Sequence, residues 1–268
     1  MTVIREPAVA GVFYPAKSSD LRATIQTLLE RVEPQPGPVP KALIAPHAGY
    51  MYSGPVAASA YASLRPYRDR YTRVVLLGPC HRVAARNLAV SGADVFRTPL
   101  GDIPLDKQAT AALDVAAVRF NEAAHQFEHS LEVHLPFLQS VLGQFTLVPL
   151  VVGVAKTETV AEVIGRLWAG PETLIVISSD LTHYLPYDDA CSRDGQTCDA
   201  IEHLDADRIN DDDACGATPI KGLLIEADRR DMEVVTLDLR NSGDTAGARE
   251  QVVGYGAWMF SESITRIH

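Results

Sequence analysis

The chain has 268 residues, 47% of them hydrophobic and 22% charged, with a formal net charge of −10. That length buries a substantial core in one large α/β domain or two smaller ones, and the composition is that of an ordinary globule. The acidic balance argues against nucleic acid or an anionic membrane as partner, and no apolar run approaches the roughly 20 residues that span a bilayer.

Residues 1–20 read as irregular, with Phe13 and Tyr14 packing against the body. Leu21, Ile25, Leu28 and Leu29 then mark a helix over Leu21–Val32. Pro34, Pro36, Pro38 and Pro40 alternate as an extended lead-in, so residues 1–40 are expected to be an N-terminal appendage to a single domain over 1–268. Ala42 to Ala45 is a buried-strand pattern ended by Pro46, and Gly54 to Leu64 an Ala-rich helix. A second strand covers Val74 to Leu77, and a short one Asn87 to Val90. Val95 to Leu105 reads as two extended pieces around a Leu-Gly-Asp turn.

Lys107 to Leu113 is a helix pattern, His125 to His129 a loop, and Ser130 to Leu142 a helix in which Pro136 imposes a late start or a kink. Phe145 to Val152, Thr157 to Trp168 and Leu174 to Ile177 read as strand, helix and strand. Ala190 to Leu204, Asp205 to Asp213 and Pro219 to Arg230 read as mostly helical. Met232 to Leu239 and Val252 to Phe260 are closing strands around an Asn241-Ser242-Gly243-Asp244 turn. The alternation predicts an α/β fold, a single αβα layered domain with a mostly buried central sheet.

Four cysteines without a CxxC pair read as reduced thiols, and the N-terminus has no charged leader followed by a long apolar core. Together these predict a cytoplasmic protein. Cys80 and Cys215 read as core thiols, Cys191 and Cys198 as inert helix residues, and His125 and His203 as surface or loop residues, with His268 at the terminus.

Three strand patterns hand over to a histidine within a few residues of their C-terminal ends: His47 after Ala42–Ala45, His81 after Val74–Leu77, and His183 after Leu174–Ile177. Ligands of open α/β sheets bind outside those carboxyl ends. His47, His81 and His183 are therefore expected to share one metal, with Asp180 as a carboxylate ligand or as a group orienting an imidazole. Two histidines with a carboxylate suit Fe(II); three with a water suit zinc. Tyr50 and Tyr184 follow those histidines closely and either line the pocket or pack as aromatics, and the turn at Asp244 and Thr245 can close the site.

Glu128-His129-Ser130-Leu131-Glu132-Val133-His134 is the second dense cluster, and it is not a zincin helix, because His129 and His134 are five residues apart rather than four. Two readings stay open: a helix whose polar residues bond to loops, or a pocket wall that presents His129, Glu132 or His134.

Taken together, APHAGY with the following S-G, LGPCHR, FRTPLGD, EHSLEVHLPFL, VPLVVG, SSDLTHY, CG-x-x-PI and NSGD…VVGY stand in the order found in the Memo (mediator of cell motility) family, and the resemblance runs from Arg5 to Phe260. Members of that family are similar in fold to class III extradiol dioxygenases, which are non-haem iron enzymes. The resemblance implies that His47 and His81 bind metal and that His183 is placed as an acid–base residue. It also puts Thr245 where vertebrate members carry a cysteine ligand, leaving the third position to Asp244, Asp180, His183 or water.

The leading expectation is thus a dioxygenase-type oxidoreductase holding Fe(II), with copper or zinc as the other ions, and His183 and Asp180 moving protons for a small-molecule substrate. A metal- or peptide-binding protein that keeps the pocket without turnover is the alternative, and a zinc hydrolase comes last.

Overall fold

A computed structural model describes residues 2–33, 37–113 and 116–263. The chain begins with β1 (Ile4–Arg5), α1 (Ser18–Glu30), β2 (Pro40–Ala45), α2 (Tyr50–Ala62) and β3 (Arg73–Pro79). It continues through β4 (Leu88–Val90), β5 (Val95–Thr98), β6 (Gly101–Pro104), α3 (Lys107–Ala111), β7 (Val118–Phe120), α4 (Glu122–Gln126) and α5 (Leu135–Val141). Then follow β8 (Thr146–Val152), α6 (Thr157–Leu167), β9 (Thr173–Ser178), β10 (His183–Leu185), α7 (Tyr187–Glu202), α8 (Ala217–Asp228), β11 (Met232–Asn241) and β12 (Val252–Glu262).

Among the described residues, nine strands form the main sheet in the order β10-β12-β2-β9-β3-β8-β4-β7, with β11 on β12. The four central strands β2, β9, β3 and β8 run parallel. A parallel strand covered on both faces writes a continuous apolar run, because alternate residues enter different cores. Leu43, Val74, Leu76, Leu174 and Val176 join α1, α2 and α5 in one cluster. Ala42, Ile44, Val75, Leu77, Ile175 and Ile177 join α6, α7 and α8 in the other. The fold is the expected α/β layered sheet with helices on both faces.

β9 lies between β2 and β3, so its tip, Ser178-Ser179-Asp180, stands between the tips that carry His47 and His81. Gly78 near the end of β3 has a positional reason. A Cβ there would meet Leu131 Cδ2 and Ser130 Oγ at 2.9 Å, and its absence lets the loop after α4 lie on the strand tip.

Several local expectations shift. Pro136 falls in the first turn of α5, so the helix starts late, after a 3-10 turn at Glu132–His134. Residues 1–20 are not wholly irregular: β1 pairs with β5 in a small sheet completed by β6. Asp205–Asp213 holds only a 3-10 turn at Ala206–Arg208, and α2 begins at Tyr50 rather than Gly54. Pro40 opens β2, whereas residues 34–36 of the proline lead-in, and His268, lie outside the described residues. The N-terminal residues Val9, Tyr14, Leu21 and Ile25 pack in the same apolar cluster as α2 and α5. No helix of the described residues is long and apolar enough to cross a membrane.

Candidate metal centre

His47, His81 and His129 meet at the tips of β2 and β3. One ligand atom of each lies within 4.8 Å of the others, and the set grades from buried His47 through half-buried His129 to exposed His81. The His47 and His81 ring centroids are 5.2 Å apart, and His81 stacks on His129 at 4.7 Å. Phe13 closes over His129 at 4.8 Å.

Two of the three rings, His47 and His81, are held by partners on Nδ1. Ser178 Oγ donates its one hydrogen to Ser130 O at 2.6 Å, so it accepts from His47 Nδ1–H, also at 2.6 Å. The lone pair of His47 is thereby left on Nε2. Glu128 Oε1 stands 3.0 Å from His81 Nδ1 and accepts its hydrogen, which frees Nε2 of that ring as well. The same carboxylate accepts the backbone N–H groups of His81 at 2.5 Å, His129 at 2.9 Å and Ser130 at 3.0 Å. Burial by itself would raise the Glu128 carboxyl, but these bonds, led by that from the His81 ring, outweigh it and hold the group at about 2.

Burial, and then the neighbouring imidazoles, push His47 well below its ordinary value. Burial also lowers His129 to about 4. Imidazoles whose lone pairs converge are what a divalent transition metal needs, and the Nε2 atoms of His47 and His81 are left open by their Nδ1 bonds, so the donor set fits such an ion.

The remaining sequence-predicted residues are placed as follows. Asp180 is buried, and its Oδ1 accepts His47 N–H at 2.7 Å. Burial raises it to about 6 against the opposing backbone N–H of His47 and the nearby His183. His183 is exposed and lies outside the three-imidazole group. Its segment, β10, pairs with β12, which draws it to the far side of that strand, and its Nδ1 bonds Leu181 O at 2.8 Å. Tyr184 beside it is exposed, with φ 59, an uncommon conformation for a bulky residue.

Tyr50 is buried, donates to Val133 O at 2.8 Å and packs on Phe137. Glu132 is saturated by the N-terminal segment: Arg5 Nη1 pairs with it, Ala8 N–H and Val9 N–H donate at 2.7 and 2.9 Å, and Tyr14 OH at 2.6 Å. His134 is buried, its Nδ1 2.7 Å from Tyr61 OH and its ring 6.5 Å from His47; burial lowers it to about 3. Asp244 and Thr245 lie apart, lining an open cleft with Met51, Asp238 and Arg240.

Two readings of single residues are corrected. His125 is buried in α4 rather than exposed, with Nε2–H donating to Ala89 O at 3.0 Å, because α4 packs its inner face under β4. Cys215 is half-buried beside the site rather than a plain core thiol, with Sγ 3.5 Å from His47 Nε2. Burial, and then the charge of Asp180, push this thiol up to about 12, and its S–H has both His47 Nε2 and Asp180 O within reach.

Three contributors carried no role in the sequence reading: Ser178, Glu128 and Cys215. The hydroxyl and carboxylate at a strand tip and beside a histidine pair were the available signals for the first two.

A family model described as Memo-like protein matches residues 5–259. A MEMO1 family protein of Methanosarcina barkeri is 37% identical, over 95% of this chain and 98% of its own length. Another, from Sulfolobus acidocaldarius, is 36% identical over 97% of this chain and 100% of its own. A crystal structure of an uncharacterized protein from Escherichia coli K12 aligns with a TM-score of 0.49 at 13% identity over 80% of this chain and 98% of that one, a match too weak to add to the assignment. Sequence order, family model and full-length relatives agree: the chain belongs to the Memo family.

Proposed function

We propose that this protein is a metal-dependent oxidoreductase of the dioxygenase type that holds Fe(II) on His47, His81 and His129, with copper and zinc as the other candidate ions. One observation carries the reading: three imidazole ligand atoms lie within 4.8 Å of one another at the carboxyl ends of parallel strands. A bound ion would supply Lewis acidity and, if iron or copper, a redox-active centre beside the substrate.

The chain's own groups do the rest. Ser178 and Glu128 keep two ring hydrogens on Nδ1, so His47 and His81 present Nε2 to the centre. Asp180, held at about 6, takes up or releases a proton near neutrality. Exposed His183 lies close enough for its charge to act on Asp180, which suits it to pass that proton to solvent. Access is from the His81 side, the exposed end of the set, and the expected substrate is a small molecule.

The test is anaerobic reconstitution with Fe(II), then oxygen uptake with a panel of catechol-type and other small compounds. The reading expects stoichiometric iron and uptake with at least one compound, both lost in a His47→Ala/His81→Ala double variant. Equal metal content in the two proteins ends the site assignment.

A second reading, a metal- or peptide-binding protein without turnover, draws on Thr245. Its hydroxyl bonds Ser242 O at 3.2 Å, away from the histidines, where vertebrate members supply a cysteine ligand. Exposed Met51, Tyr52 and Tyr184 offer apolar contact area for a peptide. Iron-loaded protein that stays inert to oxygen across the panel favours this reading.

A further inference from the structure

Cys215 sits beside His47, at the separation two donors on one ion would have. Its Sγ is 3.5 Å from Nε2 of His47, the atom left with a free lone pair by the Ser178 bond. Two donors on one tetrahedral ion, sulfur at about 2.3 Å and imidazole nitrogen at about 2.0–2.1 Å, stand about 3.5 Å from each other. Backbone bonds hold the sulfur on the His47 side of the set. Asp180 N–H donates to Sγ at 3.3 Å, and Cys215 N–H donates back to Asp180 O at 3.2 Å. A Cβ on Gly216 would lie 2.7 Å from Ser178 O, so glycine at that position lets the Cys215 segment close on the tip of β9.

We infer that Cys215 supplies a thiolate to the ion held by His47, His81 and His129, making the centre a three-imidazole, one-sulfur site. This rests on the metal reading above and goes beyond it, because it changes which ions the centre prefers. Imidazoles alone already suit zinc, copper, iron and nickel, and an added thiolate shifts the preference toward the softer ions, zinc and Cu(I) above all. On binding, the S–H bond breaks, the proton passes to buffer, and the sulfur–metal bond forms with no change of oxidation state. Sγ stands on the flank of His47, outside the 4.8 Å imidazole set, so binding draws it toward His81 and His129. Cys80 is the control, since it lines the same cleft as Cys215 and precedes His81 directly, while its own Sγ bonds Val83 O at 3.2 Å.

The experiment is an anaerobic Co(II) titration of the full chain, followed by absorption spectroscopy, for the wild type, Cys215→Ser and Cys80→Ser. The visible ligand-field bands report that cobalt is bound, and the near-ultraviolet sulfur-to-cobalt band reports a thiolate. The inference expects both in the wild type and in Cys80→Ser. Cys215→Ser should lose the near-ultraviolet band, keep the visible bands, and bind cobalt more weakly. Retained visible bands also prove that the variant is folded; if it does not fold, Cys215→Ala is used in its place. Visible bands without the sulfur band in the wild type overturn the inference while leaving the three-imidazole reading intact. Loss of the sulfur band in Cys80→Ser instead also overturns it. Absence of any visible bands in the wild type overturns both readings together.

Discussion

Glu128 grips His81 at two points: Oε2 accepts its backbone N–H at 2.5 Å, and Oε1 stands 3.0 Å from its ring Nδ1. A single buried carboxylate thus sets both where the residue sits and which ring nitrogen faces the centre. Glu128→Gln keeps the size but turns one of the two acceptor oxygens into an NH2 donor, which must then face an N–H of His81, its backbone or its ring. The variant should bind Co(II) or Zn(II) about 10–100-fold more weakly, as loss of a partner behind a metal-binding histidine does elsewhere. A competition titration against a chromophoric chelator, run beside circular dichroism, measures this. Unchanged affinity would remove Glu128 from the centre.

Ser178 links the two halves of the site, accepting from His47 Nδ1 and donating to Ser130 O. Ser178→Ala leaves a buried carbonyl and a buried ring N–H without partners. Each such orphan costs about 1–3 kcal/mol, and the freed ring can take either tautomer. Urea denaturation should show lower stability, and nitrogen-detected NMR of His47 should change from one neutral tautomer to a mixture. A single unchanged tautomer would show that Ser178 does not choose it.

How much of this was legible follows from the length scale of each cause. β2, β3 and β9 are buried on both faces, so their apolar runs stand in the sequence, and His47 and His81 fall at their tips. His129 gives no such sign. It reaches the centre because the loop carrying Ser130 and Leu131 settles on Gly78, about fifty positions earlier, and no local pattern records a contact of that span. Cys215 was hidden for the same reason, by the approach of Gly216 to Ser178. His183 stands on β10, paired with β12, exposed beside the three rings rather than within their 4.8 Å set, and its charge still reaches His47 and Asp180. Glu132, read as a possible pocket wall, is instead bound up by partners more than a hundred residues away.

That N-terminal clamp yields its own prediction. Arg5 and Glu132 form a buried pair, and Arg5 also donates to His125 O at 3.1 Å and to Glu128 O at 2.6 Å. Removing one partner leaves an uncompensated buried charge, at a cost of roughly 3–5 kcal/mol. Arg5→Ala should therefore lower the urea midpoint sharply and expose residues 2–16 to limited proteolysis. It should also weaken metal binding, because the segment it releases carries Phe13, the cover over His129. A destabilised variant with wild-type metal affinity would separate the clamp from the centre.

Stability should fall as the solution is acidified from about pH 6.5 toward 4. His125 and His134 are buried, and desolvation lowers them from 6.5 to about 4 and about 3. Between those values and 6.5 the unfolded chain binds protons at both positions that the folded chain does not. The unfolding free energy therefore rises with pH across that window and is lost as pH drops through it. Asp180 and Asp194 act the other way: burial raises both to about 6, so over pH 4–6 the folded form holds protons that the unfolded form has released. His129, lowered to about 4, and His47, lowered well below its ordinary value, add to the histidine side and tip the balance toward acid destabilisation. Urea midpoints of metal-free protein at pH 7.5 and pH 5 should differ accordingly. His125→Gln, which keeps a donor for Ala89 O but cannot titrate, should flatten the slope. An equal slope in that variant would show that His125 charges as readily in the fold as outside it.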